Sequence, residues 1–184
     1  MIPTALGMIE LSSIARGIQC ADAIVKKAPV RILQNHPISP GKFLIVFDGG
    51  VAEVDESLQA GLAVAAATLV DKLFLAQAHE ALAPLLAGTQ PLGPITDAVG
   101  IIETATAVAT VLAADAAAKA AEVRLLDLRL GQGLGGKGFF TMTGDLESIQ
   151  AAVAAGQAVI DAALVVGCEI IPRPHEDLHT KLIW

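Results

Sequence analysis

The chain is written twice. Ala5-Leu-Gly-Met-Ile-Glu10 returns as Ala98-Val-Gly-Ile-Ile-Glu103, and Ala21-Asp-Ala-Ile-Val-Lys26 returns as Ala114-Asp-Ala-Ala-Ala-Lys119. From Ala5 to Leu33 the copies align without a gap, with 12 of 29 positions identical. After a short change in length the match resumes at Gly41-Lys42 against Gly136-Lys137, continues through Gly49 and Gly144, then Gly61 and Gly156, and closes at His79-Glu80 against His175-Glu176. Self-similarity on this scale means one supersecondary unit used twice, not a single core spread along the chain. The Gly- and Pro-containing stretch Ala87-Gly-Thr-Gln-Pro-Leu-Gly-Pro94 reads as the connection, which predicts domains over residues 1–90 and 95–184.

Within each copy the patterns alternate. A short apolar run, Leu6 to Glu10, leads through Ser12-Ser13, candidate helix caps, into a segment with Ile14, Ile18, Ala21, Val25 and Ala28 on one helical face. Ala107, Val111, Ala114, Ala118 and Ala121 repeat that face. Two strand-like runs follow, Val30 to Asn35 and Lys42 to Phe47, then a helix from about Glu53 to Ala67, a strand from Lys72 to Ala76 and a short helix. Asp145 is placed to cap the second helix of copy two. The order β-α-β-β-α-β is that of the ferredoxin-like split unit, an α+β arrangement with helices on one face of an antiparallel sheet.

The hydrophobic content of 54% comes from small aliphatic residues, since aromatics make up 3% and tyrosine is absent. Mean hydropathy is +0.62, yet no uninterrupted apolar stretch reaches the roughly 18 residues of a membrane span. Ala60 to Val70 ends at Asp71-Lys72, and Ala151 to Ile171 is broken by Gln157, Asp161 and Glu169. Excess hydrophobicity without a span points to buried subunit contacts. The opening Met-Ile-Pro-Thr has no basic region followed by an apolar one, so a cytoplasmic chain with no membrane association is expected. A net charge of −7, without a basic cluster, argues against nucleic acid. Cys20 and Cys168 sit in apolar periodic segments without a second ligand at metal spacing and read as buried small hydrophobes.

Gly7-Met-Ile-Glu10, the A-D-x-x-x-K helix that ends at Lys26 and again at Lys119, Pro40-Gly-Lys42 and Ile171-Pro-Arg-Pro-His175 together resemble the bacterial microcompartment shell domain. Two such domains in one chain, each beginning with the Ala-x-Gly-x-Ile-Glu strand, are similar to the unpermuted tandem class, as in propanediol-type shell proteins. The resemblance implies a flat homotrimer that imitates a hexamer, with a central pore for small polar metabolites. It also implies hexameric shell proteins as neighbours, lumen enzymes as possible partners, and a place in a microcompartment shell within the cytoplasm.

By the same resemblance Lys26, Lys119 and Arg173 lie at the tile edge, with His79 and His175 close by. The first copy reads Ala76-Gln77-Ala78-His79 and lacks the arginine. The pore-lining residues implied are His36, Pro37, Ile38, Ser39 and Pro40 from one loop and Gly131, Gln132, Gly133, Leu134 and Gly135 from the other. Some relatives carry a cysteine in the first loop that holds an iron–sulfur cluster on the axis. Here Ser39 stands in its place, a poor cluster ligand, so neither cofactor nor metal is expected. An electron-transfer tile and a trimeric ferredoxin-like regulator binding a small ligand between subunits remain the alternative functions.

The second loop, Gly131-Gln-Gly-Leu-Gly-Gly-Lys-Gly138, contains both G-x-G-x-x-G and G-x-x-x-x-G-K. Both motifs need a following helix to present its N-terminus to phosphate. The strand-like Phe139-Phe-Thr-Met-Thr143 follows instead, and Gly138 occupies the magnesium-binding position. No acid, base and nucleophile converge in the pattern, and Glu10 and Glu103 read as structural hydrogen-bonding carboxylates, so no enzyme is predicted.

Overall fold

The computed structural model describes residues 5–90 and 93–178. The chain forms two compact units: the first runs up to Gly88 and takes in Gln132–Gly136, and the second comprises Thr89–Gly131 and the residues from Lys137 on. In the first unit the elements are β1 (Ala5–Leu11), α1 (Ile14–Lys27), β2 (Arg31–Ile38), β3 (Lys42–Gly49), α2 (Val51–Ala65), β4 (Leu69–Leu75) and a short α3 (Leu82–Leu86). The second copy repeats them as β5 (Ala98–Thr104), α4 (Ala107–Ala120), β6 (Arg124–Leu130), β7 (Gly138–Gly144), α5 (Leu146–Ala158) and β8 (Val165–Pro172). The sheets run β2-β3-β1-β4 and β6-β7-β5-β8, with every pairing antiparallel. This is the α+β, ferredoxin-like split order that the alternating patterns predict.

Local chemistry fixes the helix ends. The Ser13 hydroxyl accepts the Arg16 amide at 3.3 Å, Thr106 accepts that of Ala109 at 3.1 Å, and Asp145 accepts that of Ser148 at 2.9 Å. Each satisfies a donor left open in a first helical turn. Helix α1 stops at Ala28 in extended backbone, φ −151°, as the following Pro29 demands. Helix α4 stops identically at Ala121, φ −151°, before Glu122. Proline therefore reinforces an ending that the fold imposes without it.

The first unit's core lies between its helices and one sheet face. Ile9, Leu11, Phe43, Ile45 and Phe47 meet Cys20, Ile24, Val54 and Leu58 there, all at 3% exposure or less. Burying each of the larger side chains contributes about 1.5–3 kcal/mol. Helix α2 comes close because Gly61 offers no side chain: a Cβ there would lie 2.7 Å from Ile9 Cδ1 and 2.9 Å from Ile24 Cγ1.

Two departures from the sequence pattern matter for function. First, α1 buries Gly17, Cys20, Ala21 and Ile24, whereas Ile14, Ile18 and Val25 are 40%, 59% and 47% exposed. At roughly 100° per residue this stripe runs beside the buried face, so the helix is apolar over a wider arc than the core covers. Second, β2 carries a bulge: Ile32 pairs Phe47 but Gln34 pairs Val46, leaving Leu33 extra. The second copy repeats it, Leu125 pairing Met142 and Asp127 pairing Thr141 with Leu126 extra. A bulge resets strand alternation, so Gln34, His36 and Ile38 point to the face opposite α1 and α2, the face of Glu10 and Lys42, where Gln34 Nε2 donates to the Leu86 carbonyl at the end of α3 at 3.0 Å.

Candidate functional site

The residues that carry charge and irregular backbone gather at the β2–β3 and β6–β7 hairpins. In the first, Ser39, Pro40 and Gly41 make the turn, the Ser39–Pro40 peptide is cis, and the Gly41 amide donates to the Ile38 carbonyl at 3.0 Å with φ +88°. Pro37 and Pro40 are exposed, and His36 and Ser39 are half-buried. Ile38, expected to line a pore, is buried, at 3% exposure.

The second hairpin is built on left-handed backbone: Gly131, Gly133, Gly135 and Gly136 have φ of +69°, +69°, +63° and +90°. Its neck closes through the Gly131 amide on the Lys137 carbonyl at 2.9 Å. Strand β7 follows directly, so no helix N-terminus faces this loop and the phosphate-binding motifs have no structural context. A Cβ on Gly136 would sit 3.0 Å from the Ser39 carbonyl, within the first unit. In the same unit Gln132 Nε2 lies 3.2 Å from His36 Nδ1, and the other ring nitrogen lies 3.2 Å from Gln34 Oε1. His36, Ser39, Gln132 and the Gly133–Gly136 stretch thus belong to one cluster, with Gln132, Gly133 and Gly135 exposed, Leu134 half-buried and Gly131 buried.

Behind each loop stands an ion pair that pattern reading missed. Lys42 Nζ donates to Glu10 Oε1 at 2.6 Å, and Lys137 Nζ donates to Glu103 Oε1 at 2.7 Å. The signal was available in the joint recurrence of Ile-Glu and Gly-Lys in both copies, but only the antiparallel register of β1 on β3 and β5 on β7 brings the partners together. The first pair is buried, Glu10 at 0% and Lys42 at 25% exposure, while Glu103 and Lys137 are 39% and 50% exposed.

The edge motifs are resolved into local chemistry. The A-D-x-x-x-K spacing is an i,i+4 ion pair: Lys26 with Asp22 at 2.6 Å and Lys119 with Asp115 at 2.5 Å. Arg173 is exposed and left-handed, φ +48°, its amide donating to the Asp97 carbonyl at 2.7 Å. Each histidine caps its own turn, His79 Nδ1 accepting from the Ala81 amide at 3.3 Å and His175 Nδ1 from the Asp177 amide at 3.2 Å. Among the described residues no group of three or more His, Cys, Asp or Glu is placed to hold a metal ion. The Cys20 thiol, buried and donating to the Gly61 carbonyl at 3.2 Å, is pushed up to about 11 by burial, and burial also raises that of Cys168. Neither is an available thiolate. Among the described residues no helix is long and apolar enough to cross a membrane.

Comparison with known proteins agrees with this architecture. The BMC domain family matches residues 5–78 and again 98–174. The bacterial microcompartment shell protein PduT of Citrobacter freundii is 36% identical over 180 residues, covering 97% of both chains. The shell protein EutM of Salmonella typhimurium is 40% identical over 83 residues, which make up 45% of this chain and 84% of EutM. A crystal structure of a microcompartments protein from Desulfitobacterium hafniense superposes with a TM-score of 0.90 at 40% identity, covering 95% of this chain and 97% of that one. The chain belongs to the BMC-domain family and carries two copies of the domain in tandem.

Proposed function

We propose that this protein is a structural tile of a bacterial microcompartment shell in the cytoplasm: a flat homotrimer, imitating a hexamer, whose two hairpin loops line a central pore for small polar metabolites. The observation that carries the assembly is the contrast between matched helices. Ten of the 14 residues of α4 are buried, whereas the α1 stripe of Ile14, Ile18 and Val25 is bare. A contiguous apolar stripe beside a filled core is a contact surface, and a second copy of the same chain is the partner that a closed ring of identical subunits supplies. Full-length likeness to a shell protein supports the same conclusion.

Lys26, Lys119 and Arg173, exposed and held by local contacts, serve as edge contacts to neighbouring shell proteins, hexameric ones included, with His79 and His175 bracing the adjacent turns. The role is structural, with no catalytic step assigned. Light scattering after gel filtration tests the assembly: the unsubstituted protein should run as three chains and Ile18→Asp as one, with electron microscopy showing sheets only for the former. A monomer before substitution would overturn the proposal.

A further inference from the structure

On the footing that the hairpin loops line a pore, we infer that Glu103 and Lys137 hold that passage at charge balance, each masking the other so that neither sign of ion is favoured, while Glu10 and Lys42 hold the first loop in position. Each lysine directly follows the last glycine of its loop, Gly41 or Gly136, and each glutamate is the penultimate residue of a central strand, β1 or β5. The pairs are alike in length, 2.6 and 2.7 Å, but opposite in setting.

Glu10 is wholly buried, and its second oxygen, Oε2, has no hydrogen-bond partner among the described residues. Its charge is spent on Lys42, and removing either partner strands the other in a poor solvent for charge. Glu103 and Lys137 are about half exposed, so each charge reaches the water beside the glycine loop and each survives loss of its partner. As a pair they cancel. A substitution at one therefore leaves a net charge beside the loop, well inside the screening length of about 8 Å at physiological salt, and a closed ring repeats it in every subunit. Rings of like charge are what select among ions in a pore.

The test is the reversal potential across sheets of the purified protein sealed over a solid-state aperture in a potassium chloride gradient. Glu103→Gln, which frees Lys137, should shift selectivity toward chloride by roughly twofold or more. Lys137→Gln should shift it toward potassium, and the double variant should return to the starting value. A purely structural pair would instead send both single variants the same way. Glu10→Gln should lower the melting temperature without a comparable change in selectivity. Ser39→Trp separates this inference from its footing: if it lowers conductance while the Glu103 and Lys137 variants move together or not at all, the selectivity assignment is overturned and the pore stands. If it leaves conductance unchanged in a folded protein, the pore reading falls and takes the assignment with it.

Discussion

The Arg31 guanidinium grips both carboxylate oxygens of Asp48, Nε to Oδ1 at 3.0 Å and Nη2 to Oδ2 at 2.5 Å. The fork joins β2 to β3, and the hydrogen bonds and charge of Asp48 hold the guanidinium pKa above its usual value. The burial is lopsided: Asp48 is 3% and Arg31 67% exposed. Loss of the arginine leaves a buried carboxylate unpaired, while loss of the aspartate leaves a solvated cation. Arg31→Met should therefore cost about 1–2 kcal/mol in urea unfolding, and Asp48→Thr, which copies Thr143 of the second repeat, clearly less. Equal costs would show that burial does not govern this pair.

Gly61 and Gly156 are the same position in the two copies, yet they should tolerate alanine differently. At Gly61 the nearest atoms to a new Cβ belong to side chains, those of Ile9 and Ile24, which give way more readily than backbone. At Gly156 they include the Ala113 carbonyl oxygen at 3.0 Å, which belongs to the backbone of α4 and cannot. Overpacking costs about 1–3 kcal/mol, offset by about 1 kcal/mol of helix propensity gained over glycine. Gly61→Ala should cost less than Gly156→Ala, as measured by thermal unfolding.

The fold was legible because repetition and local chemistry agreed. The order of elements, the Asp145 cap and the strand after the glycine loop all follow from patterns a few residues long. What the pattern concealed was orientation. Periodicity found the face of Ile14, Ile18 and Val25 but left its direction open, since an apolar face reads the same whether its own core or another chain covers it. Strand alternation, read straight through β2, could not anticipate the bulge at Leu33 that turns Ile38 to the face of Glu10 and Lys42. The Glu103–Lys137 pair, 34 residues apart, exists only through the sheet register.

Asp145 gives the stability a definite pH dependence. The Ser148 amide at 2.9 Å and hydroxyl at 2.7 Å both donate to its carboxylate, and these bonds hold its pKa below the ordinary aspartate value. A group whose folded pKa is depressed contributes stability above its unfolded value, about 3.9, and loses it as pH falls through the folded one. Asp145→Ala should thus melt at a lower temperature than the unsubstituted protein at pH 7. The difference should close progressively below about pH 4. A gap that persists in acid would mean that the carboxylate charge is not what the cap uses.

Arg173 sets backbone strain against assembly. A left-handed conformation, φ +48°, costs an L-residue about 1–2 kcal/mol, and part of that is recovered by glycine after its own entropic penalty. Arg173→Gly should therefore raise stability by about 0.5–1 kcal/mol, while Arg173→Ala should give no gain, because it retains the strained geometry. If the guanidinium contacts neighbouring tiles, both variants should lose sheet formation in electron microscopy while still eluting as trimers. The two readouts then separate: stability follows the backbone and differs between the variants, whereas tiling follows the side chain and does not. Sheets formed normally by either variant would remove Arg173 from the edge.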